Sequence, residues 1–464
     1  MNKIKNIEAR EIKDSRGNPT IEVELETDKG VFIASVPSGA STGKNEALEL
    51  RDADGKGVKK AILNIKKIIA PALKDKEFTN QKEIDEILVK LDGTENKSKL
   101  GSNAILAVSM AVCRAGAAAK KIPLYRHVLE LSVSHSCTPT HRSEKIIIPL
   151  AMFNVLEGGK HVHPVKSADE VGGVPPKAGQ FNRASLDIQE FMIVPQKKTF
   201  AENLVVCNRI FNNLKENIEK NFGKDYLELG DEGGFAPPVS TAEQALYLLK
   251  NACDKADVPM AKSRQSRGLA KKSEPSRILD GEAVGINFAL DCAASQFYKD
   301  GKYKIENREL TKTELLEFYE GLANNFPIIS IEDPFSEEDW QGWQLISNFK
   351  FQISNLMIVG DDLTTTNIKR IKEARNKLAC NGVILKLNQI GTVSETIEAS
   401  NLAKSFGWKT IVSHRSGETM DDFIADLAVG LGTDFLKAGS PAKPERMVKY
   451  KRLLEIENEL KTSI

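Results

Sequence analysis

The chain has 464 residues, of which 41% are hydrophobic, enough to bury a large core. Its 65 basic and 64 acidic side chains nearly cancel, so charge gives no reason to expect nucleic acid or an anionic membrane as a partner. Six cysteines (113, 137, 207, 253, 292, 380) show no close pairing and no CxxC, and residues 1–6 hold no apolar stretch of the signal-peptide kind, which together predict a reducing cytoplasm.

Residues 4–12, 20–27 and 31–36 read as three strands of an antiparallel meander. The middle one alternates Ile21, Val23 and Leu25 against Glu22, Glu24 and Glu26, giving one wet face. Turn chemistry stands between them, at residues 14–19 and 28–30. Helical patterns follow at 59–69, 80–91, 101–120 and 123–131, and a small α+β domain is expected over 1–142. Its most apolar run, 104–119, is broken by Arg114 and reads as too short for a membrane span. Residues 133–145 read as a linker.

From residue 146 the rhythm changes. Strand-like runs at 146–155, 189–194, 286–291, 328–332, 356–360, 383–386, 410–413 and 435–437 make eight, and from 286 on each precedes a helical stretch. Such alternation predicts parallel pairing. Eight strands predict a (β/α)8-type barrel over 143–464, with its working face at the strands' C-terminal ends and a closing helix at 444–461. Residues 163–184, rich in Pro and Gly, and 261–280, with six basic and two acidic side chains, break the rhythm and read as long irregular insertions. The basic stretch reads as a solvated loop, with an acidic partner or RNA as the sharper alternative.

Five of these strands end on ionisable residues. Asp291, Glu332 and Asp361 end neighbouring strands, and three crowded carboxylates call for a cation. Oxygen-only ligation favours Mg²⁺. Lys386 follows the apolar run 382–385, and Lys437 ends the last strand. Two ammonium groups in one barrel mouth are expected to depress each other's pKa, as a usable base requires. Residues 413–418 bring a hydroxyl, His414, Arg415 and Ser416 to one strand end, suited to phosphate or carboxylate. Each group has a plainer reading: carboxylates at wet strand ends, snorkelling lysines, a solvated loop. Asp231-Glu232-Gly233-Gly234 reads on its own as an ordinary turn. Ser38 to Lys44 fails as a phosphate loop, because three residues separate Gly39 from Gly43 and Asn45 follows Lys44. A flexible glycine lid fits better. His135, Cys137 and His141 lack a fourth partner for zinc.

Taken together, residues 14–20, 38–43, 189–192, 230–234, 330–335, 386–391 and 413–419 resemble the enolases nearly end to end. The resemblance implies a small α+β capping domain before an enolase-type barrel, and a glycolytic, reversible, Mg²⁺-dependent dehydration of 2-phospho-D-glycerate to phosphoenolpyruvate. By the same resemblance, metal ligation falls on Asp291, Glu332 and Asp361, with Ser41 reaching a second Mg²⁺ from the lid. The base falls on Lys386, the general acid on Glu232 and its helper on Glu190. Substrate-holding roles fall on His161, His414, Arg415, Ser416 and Lys437. The implied partners are the small-molecule substrate and further copies of the chain, as a homodimer or an octameric ring of dimers, with no membrane and no nucleic acid.

The chain departs from the family pattern in places. Residues 161 and 190 lie 29 positions apart where a short loop is usual. Glu157 stands in the place of Asn, Val162 of Ala, Met420 of an acidic residue and Lys443 near that of Arg. Two alternatives remain: another acid-sugar dehydratase or racemase of the superfamily, and a catalytically impaired scaffold that acts as a binding protein.

Overall fold

A computed structural model describes residues 2–39, 43–134, 146–162, 186–261, 263, 285–350 and 356–462. Strands β1 (Ile4–Lys13), β2 (Pro19–Thr27) and β3 (Gly30–Ser35) form an antiparallel sheet in that order. Alternation decides its faces: Ile21, Val23 and Leu25 are buried, while Glu24 and Glu26 face solvent. The buried face lies on helix Ser102–Lys120, which also packs against Leu124–Ser134. With 19 residues and a mean hydropathy of 1.3, Ser102–Lys120 is long and apolar enough to cross a membrane, contrary to the expectation from Arg114. It serves instead as a core helix, since 83% of that window is buried within the protein. The Arg114 guanidinium is taken up by Asp421 at 2.8 Å and Asp422 at 3.0 Å, which ties this helix to the barrel.

The barrel strands are β4 (Leu150–Glu157), β5 (Glu190–Val194), β6 (Asn287–Asp291), β10 (Ile328–Glu332), β11 (Met357–Gly360), β12 (Gly382–Leu385), β13 (Lys409–Ser413) and β14 (Phe435–Lys437). They close in the order β10-β11-β12-β13-β14-β4-β5-β6. Side chains from all eight fill the interior, among them Met152, Met192, Ala289, Val359, Ile384, Ile411 and Phe435, with Ile329 packed against them. The mouth therefore has an apolar floor.

Pairing departs from the all-parallel expectation at one strand. β5 runs antiparallel to both β4 and β6, with Glu190 opposite Glu157 on one side and Asp291 on the other. Strand periodicity carries no polarity, so five apolar residues read alike in either direction. The reversal matters, because it delivers the first residue of β5, Glu190, to the rim where its neighbours deliver their last.

A second departure is a small antiparallel sheet after β6: β7 (Tyr298–Lys299), β8 (Lys302–Ile305) and β9 (Arg308–Leu310). Its turns hold positive φ at Asp300 (52°), Gly301 (82°), Glu306 (51°) and Asn307 (58°), the signature of two-residue hairpins. Helix Phe200–Phe222 starts on a capping box between Thr199 and Glu202. The closing helix is Pro444–Thr462. Of the expected linker 133–145 and the insertions 163–184 and 261–280, the larger part lies outside the described residues.

Candidate active site

The barrel mouth forms a cleft open to solvent, with about 410 Å³ of empty space, lined by His161, Gln189, Glu190, Glu232, Asp291, Ala293, Asp333, Asp361, Asp362, Lys386, Ser413, His414, Arg415, Ser416 and Lys437. Asp291 and Glu332 face each other across the β6–β10 ladder, and Asp361 follows β11, the next strand. The Lys437 ammonium joins this group at 2.9 Å from Asp291, 3.0 Å from Glu332 and 3.2 Å from Glu190. Burial opposes its charge, and Asp291, Glu190 and Glu332 together outweigh that, so Lys437 stays charged. Burial likewise pushes the Glu332 carboxyl well up, helped by Asp291 and Asp361. Carboxylates crowded to this degree are short of positive charge, and their oxygen-only donor set fits a hard divalent cation such as Mg²⁺. Oxygens of Asp333, Asp361 and Asp362 also converge within 4.8 Å of one another. Asp333 supports that corner from a left-handed backbone (φ 41°), accepting the amides of Asp361 at 2.9 Å and Asp362 at 2.7 Å.

Lys386 sits directly after β12, half-buried, with its ammonium in contact with Asp361. Burial, Arg415 and Lys437 lower its pKa, but Asp361 and Glu332 raise it and the net shift is upward, so the expected depression by a neighbouring lysine is not what this arrangement gives. The nearest charge decides. Gln389 holds the other Asp361 oxygen at 2.8 Å.

The wall formed by β4, β5 and residues 230–234 carries a different group. Glu232 Oε2 takes Asn154 Nδ2 at 3.2 Å and lies 3.1 Å from His414 Nε2, off the ideal hydrogen-bond axis. His161 stands between two carboxylates, with Nε2 3.8 Å from Glu232 and Nδ1 3.9 Å from Glu190. Burial opposes ionisation of Glu232, yet His414, His161 and Arg446 hold its carboxyl well below the usual range. Burial and the Glu232 charge push Glu190 well up. The two carboxyls are driven apart, Glu190 toward holding a proton and Glu232 toward giving one up. Burial lowers both imidazoles, His414 to about 4, and both are neutral at pH 7.

Arg415 pairs with Glu46 at 2.9 Å and Asn388 at 3.2 Å. The capping domain reaches it through Gly39, where a Cβ would stand 1.9 Å from Arg415 Nη2, so only glycine allows this approach. Ser38 and Gly417 exchange backbone hydrogen bonds of 2.8 and 2.9 Å, and Arg16 donates to Ser416 at 3.3 Å. The base of the glycine loop is thus stitched to the loop of Arg415 and Ser416.

Two family models match the chain: "Enolase, N-terminal domain" over residues 4–128, and "Enolase, C-terminal TIM barrel domain" over residues 145–262 and 279–464. The chain belongs to the enolase family. That membership supports enolase-type dehydration of a small molecule, and the crowded acidic mouth accords with the Mg²⁺ dependence general to the family. The C-terminal match breaks between 262 and 279, within the basic insertion.

Of the residues singled out from the sequence, His161, Glu190, Glu232, Asp291, Asp361, Lys386, His414, Arg415, Ser416 and Lys437 all line the one cavity. Glu332 touches it through Lys437, and Ser41 lies outside the described residues. Sequence reasoning gave no role to Asn154, Asp333, Asp362, Glu46 or Arg446. It noted Glu157 only as a departure. Glu157 accepts the Gly234 amide at 2.5 Å and the Glu232 amide at 3.3 Å, holding up the loop that carries Glu232. Burial and the Glu232 charge push its own carboxyl up to about 8. One signal was available, since β4, like β6 and β10, ends on a carboxylate.

Proposed function

We propose that the protein is a glycolytic phosphopyruvate hydratase, converting 2-phospho-D-glycerate reversibly to phosphoenolpyruvate with two Mg²⁺. One observation carries this reading. In the closed ring of eight strands, β12, which delivers Lys386, stands four places from β5, which delivers Glu190, so lysine and carboxyl pair occupy opposite walls of one mouth. A 1,2-elimination needs that: a base on one side of the substrate and an acid on the other.

In this reading Lys386 takes the proton beside the substrate carboxylate. Asp291, Glu332 and Asp361 hold the metal, with Ser41 reaching a second ion. Bound Mg²⁺ supplies the positive charge that stabilises the doubly charged enediolate. Were Asp361 engaged on a cation, it would no longer hold Lys386 as an ammonium, and Lys386 would be the better able to accept a proton. On the far wall Glu232 protonates the departing hydroxyl. The two carboxyls are shifted in opposite directions, and an anionic substrate arriving beside Glu232 would raise its pKa and draw a proton from Glu190 toward it. Arg415, Ser416, His161, His414 and Lys437 hold the substrate, with Arg415 matched to a phosphate or carboxylate.

The test is the appearance of phosphoenolpyruvate from 2-phospho-D-glycerate with purified protein, in Mg²⁺, in EDTA, and in EDTA with Mg²⁺ restored. Turnover that follows the metal is expected. A folded protein inactive at all Mg²⁺ concentrations would instead be a binding scaffold. We also propose a cytoplasmic homodimer or ring of dimers, which light scattering on a sizing column would resolve.

A further inference from the structure

Arg446 lies on the closing helix Pro444–Thr462, is fully buried, and does not itself line the cavity. Its guanidinium joins two loops of the site. Nη1 reaches His414 Nδ1 at 2.5 Å and the Arg415 carbonyl at 2.6 Å, while Nη2 reaches the carbonyls of Ser416 at 2.6 Å and Asp231 at 3.2 Å. The meeting point is built around a glycine. At Gly439 (φ +85°) a Cβ would stand 2.9 Å from Arg446 Cδ, 2.9 Å from the Glu232 carbonyl and 3.1 Å from His414 Cε1.

A guanidinium donates hydrogen bonds and accepts none, so an imidazole nitrogen facing it must be the bare one. We propose that Arg446 is a positioning residue that fixes His414 as the neutral tautomer with its proton on Nε2, and thereby assigns the two oxygens of Glu232 different tasks. His414 Nε2 lies 3.1 Å from Glu232 Oε2, off the hydrogen-bond axis, and Asn154 Nδ2 donates to the same oxygen at 3.2 Å. Oε2 is thus committed as an acceptor. Oε1, on the side of His161 and 3.8 Å from its Nε2, is left as the oxygen that takes up and gives away a proton. A neutral, burial-depressed His414 agrees with this, because an imidazolium would point a second N–H at Arg446.

The assignment of tasks rests on Glu232 being the general acid; the tautomer does not. The experiment therefore reads the tautomer directly, by long-range ¹H–¹⁵N correlation on the full-length protein labelled at its six histidines, with His414→Asn used only to identify the signals. Expected at pH 7 is an unprotonated Nδ1 and a protonated Nε2 at His414. A proton on Nδ1, or an imidazolium, would overturn the proposal even if every variant failed to fold. In Arg446→Lys, whose ammonium is shorter and not forked, His414 should become a mixture of tautomers. Its kcat should fall about tenfold with KM changed less than twofold, since Arg446 does not meet substrate. An unmixed Nε2–H tautomer in folded Arg446→Lys would also count against it. The expected tautomer in a protein without turnover would leave the proposal standing and remove the acid reading.

Discussion

An ammonium drawn out of bulk water is stabilised by an anion beside it, and for Lys386 that anion is Asp361. Removing the side chain should leave the fold alone and remove the base. Lys386→Ala is expected to retain Mg²⁺ binding and to lose exchange of the substrate's C2 proton with D₂O, with turnover down roughly 10²- to 10⁴-fold. Exchange at the parental rate, followed by NMR, would remove Lys386 from that role. Asp361→Asn and Glu332→Gln each take one anionic oxygen from the mouth, so each should raise the Mg²⁺ concentration for half-maximal activity. Equal half-saturation in variant and parent would sink the three-carboxylate assignment. These residues were legible in the sequence because a charge that ends an apolar run is conspicuous. Arg446 was not, since a charged side chain in a helix flanked by Glu445 and Lys449 looks like a wet face.

At the scale of elements, helices Leu124–Ser134 and Phe423–Leu431 pack through Gly430, where an added Cβ would stand 2.5 Å from the Tyr125 carbonyl and 2.5 Å from Val128 Cβ. The first of these is backbone and cannot step aside. Gly430→Ala should therefore destabilise by roughly 1–3 kcal/mol, although alanine is the better helix former by about 1 kcal/mol. Urea unfolding is the measurement, and a variant as stable as the parent would mean that the helix pair slides freely. Gly116 offers a contrast, because its added Cβ would meet the tip of the His127 ring at 2.5 Å. Gly116→Ala should cost less in a His127→Ala background than alone. The strands were readable from period-two alternation and apolar runs. The direction of β5 was not, and the hairpins at 300–301 and 306–307 were passed over although Asp300-Gly301 is a turn signal.

For the whole molecule, acid should be the weak flank. Burial holds His127 and His414 at about 4, against about 6.5 in an unfolded chain. Between those values the unfolded chain binds protons that the folded one refuses, so stability is full above about pH 6.5 and falls as pH drops toward 4. Each histidine contributes at most ~3 kcal/mol to that loss. Replacing His127 by Gln should flatten the curve of Tm against pH in that window, and an unchanged slope would show that His127 is reached by water. The closure of eight strands was foreseeable from their number and spacing, but the opposed shifts of the Glu190 and Glu232 carboxyls came only with the fold.

The reversed β5 has a consequence for how the chain can grow. A parallel neighbour would require the polypeptide to travel the full height of the barrel between β4 and β5; the antiparallel pair makes it leave and re-enter at the same rim. The two ends are clasped there, by Gly158 donating to Gln189 at 2.9 Å and Gly159 to Leu186 at 2.7 Å. Between clasped ends, chain length costs only about 0.6 kcal/mol per doubling. Exchanging residues 164–183 for a short linker should accordingly leave Tm nearly unchanged and kcat/KM equal or higher, and a folded, Mg²⁺-binding product without activity would show the segment to be part of the site. The same doorway would admit a graft. A foreign domain whose own termini lie close together could be spliced there with the barrel still closing beneath it, which would make this rim a place where new sequence can accumulate beside a working site.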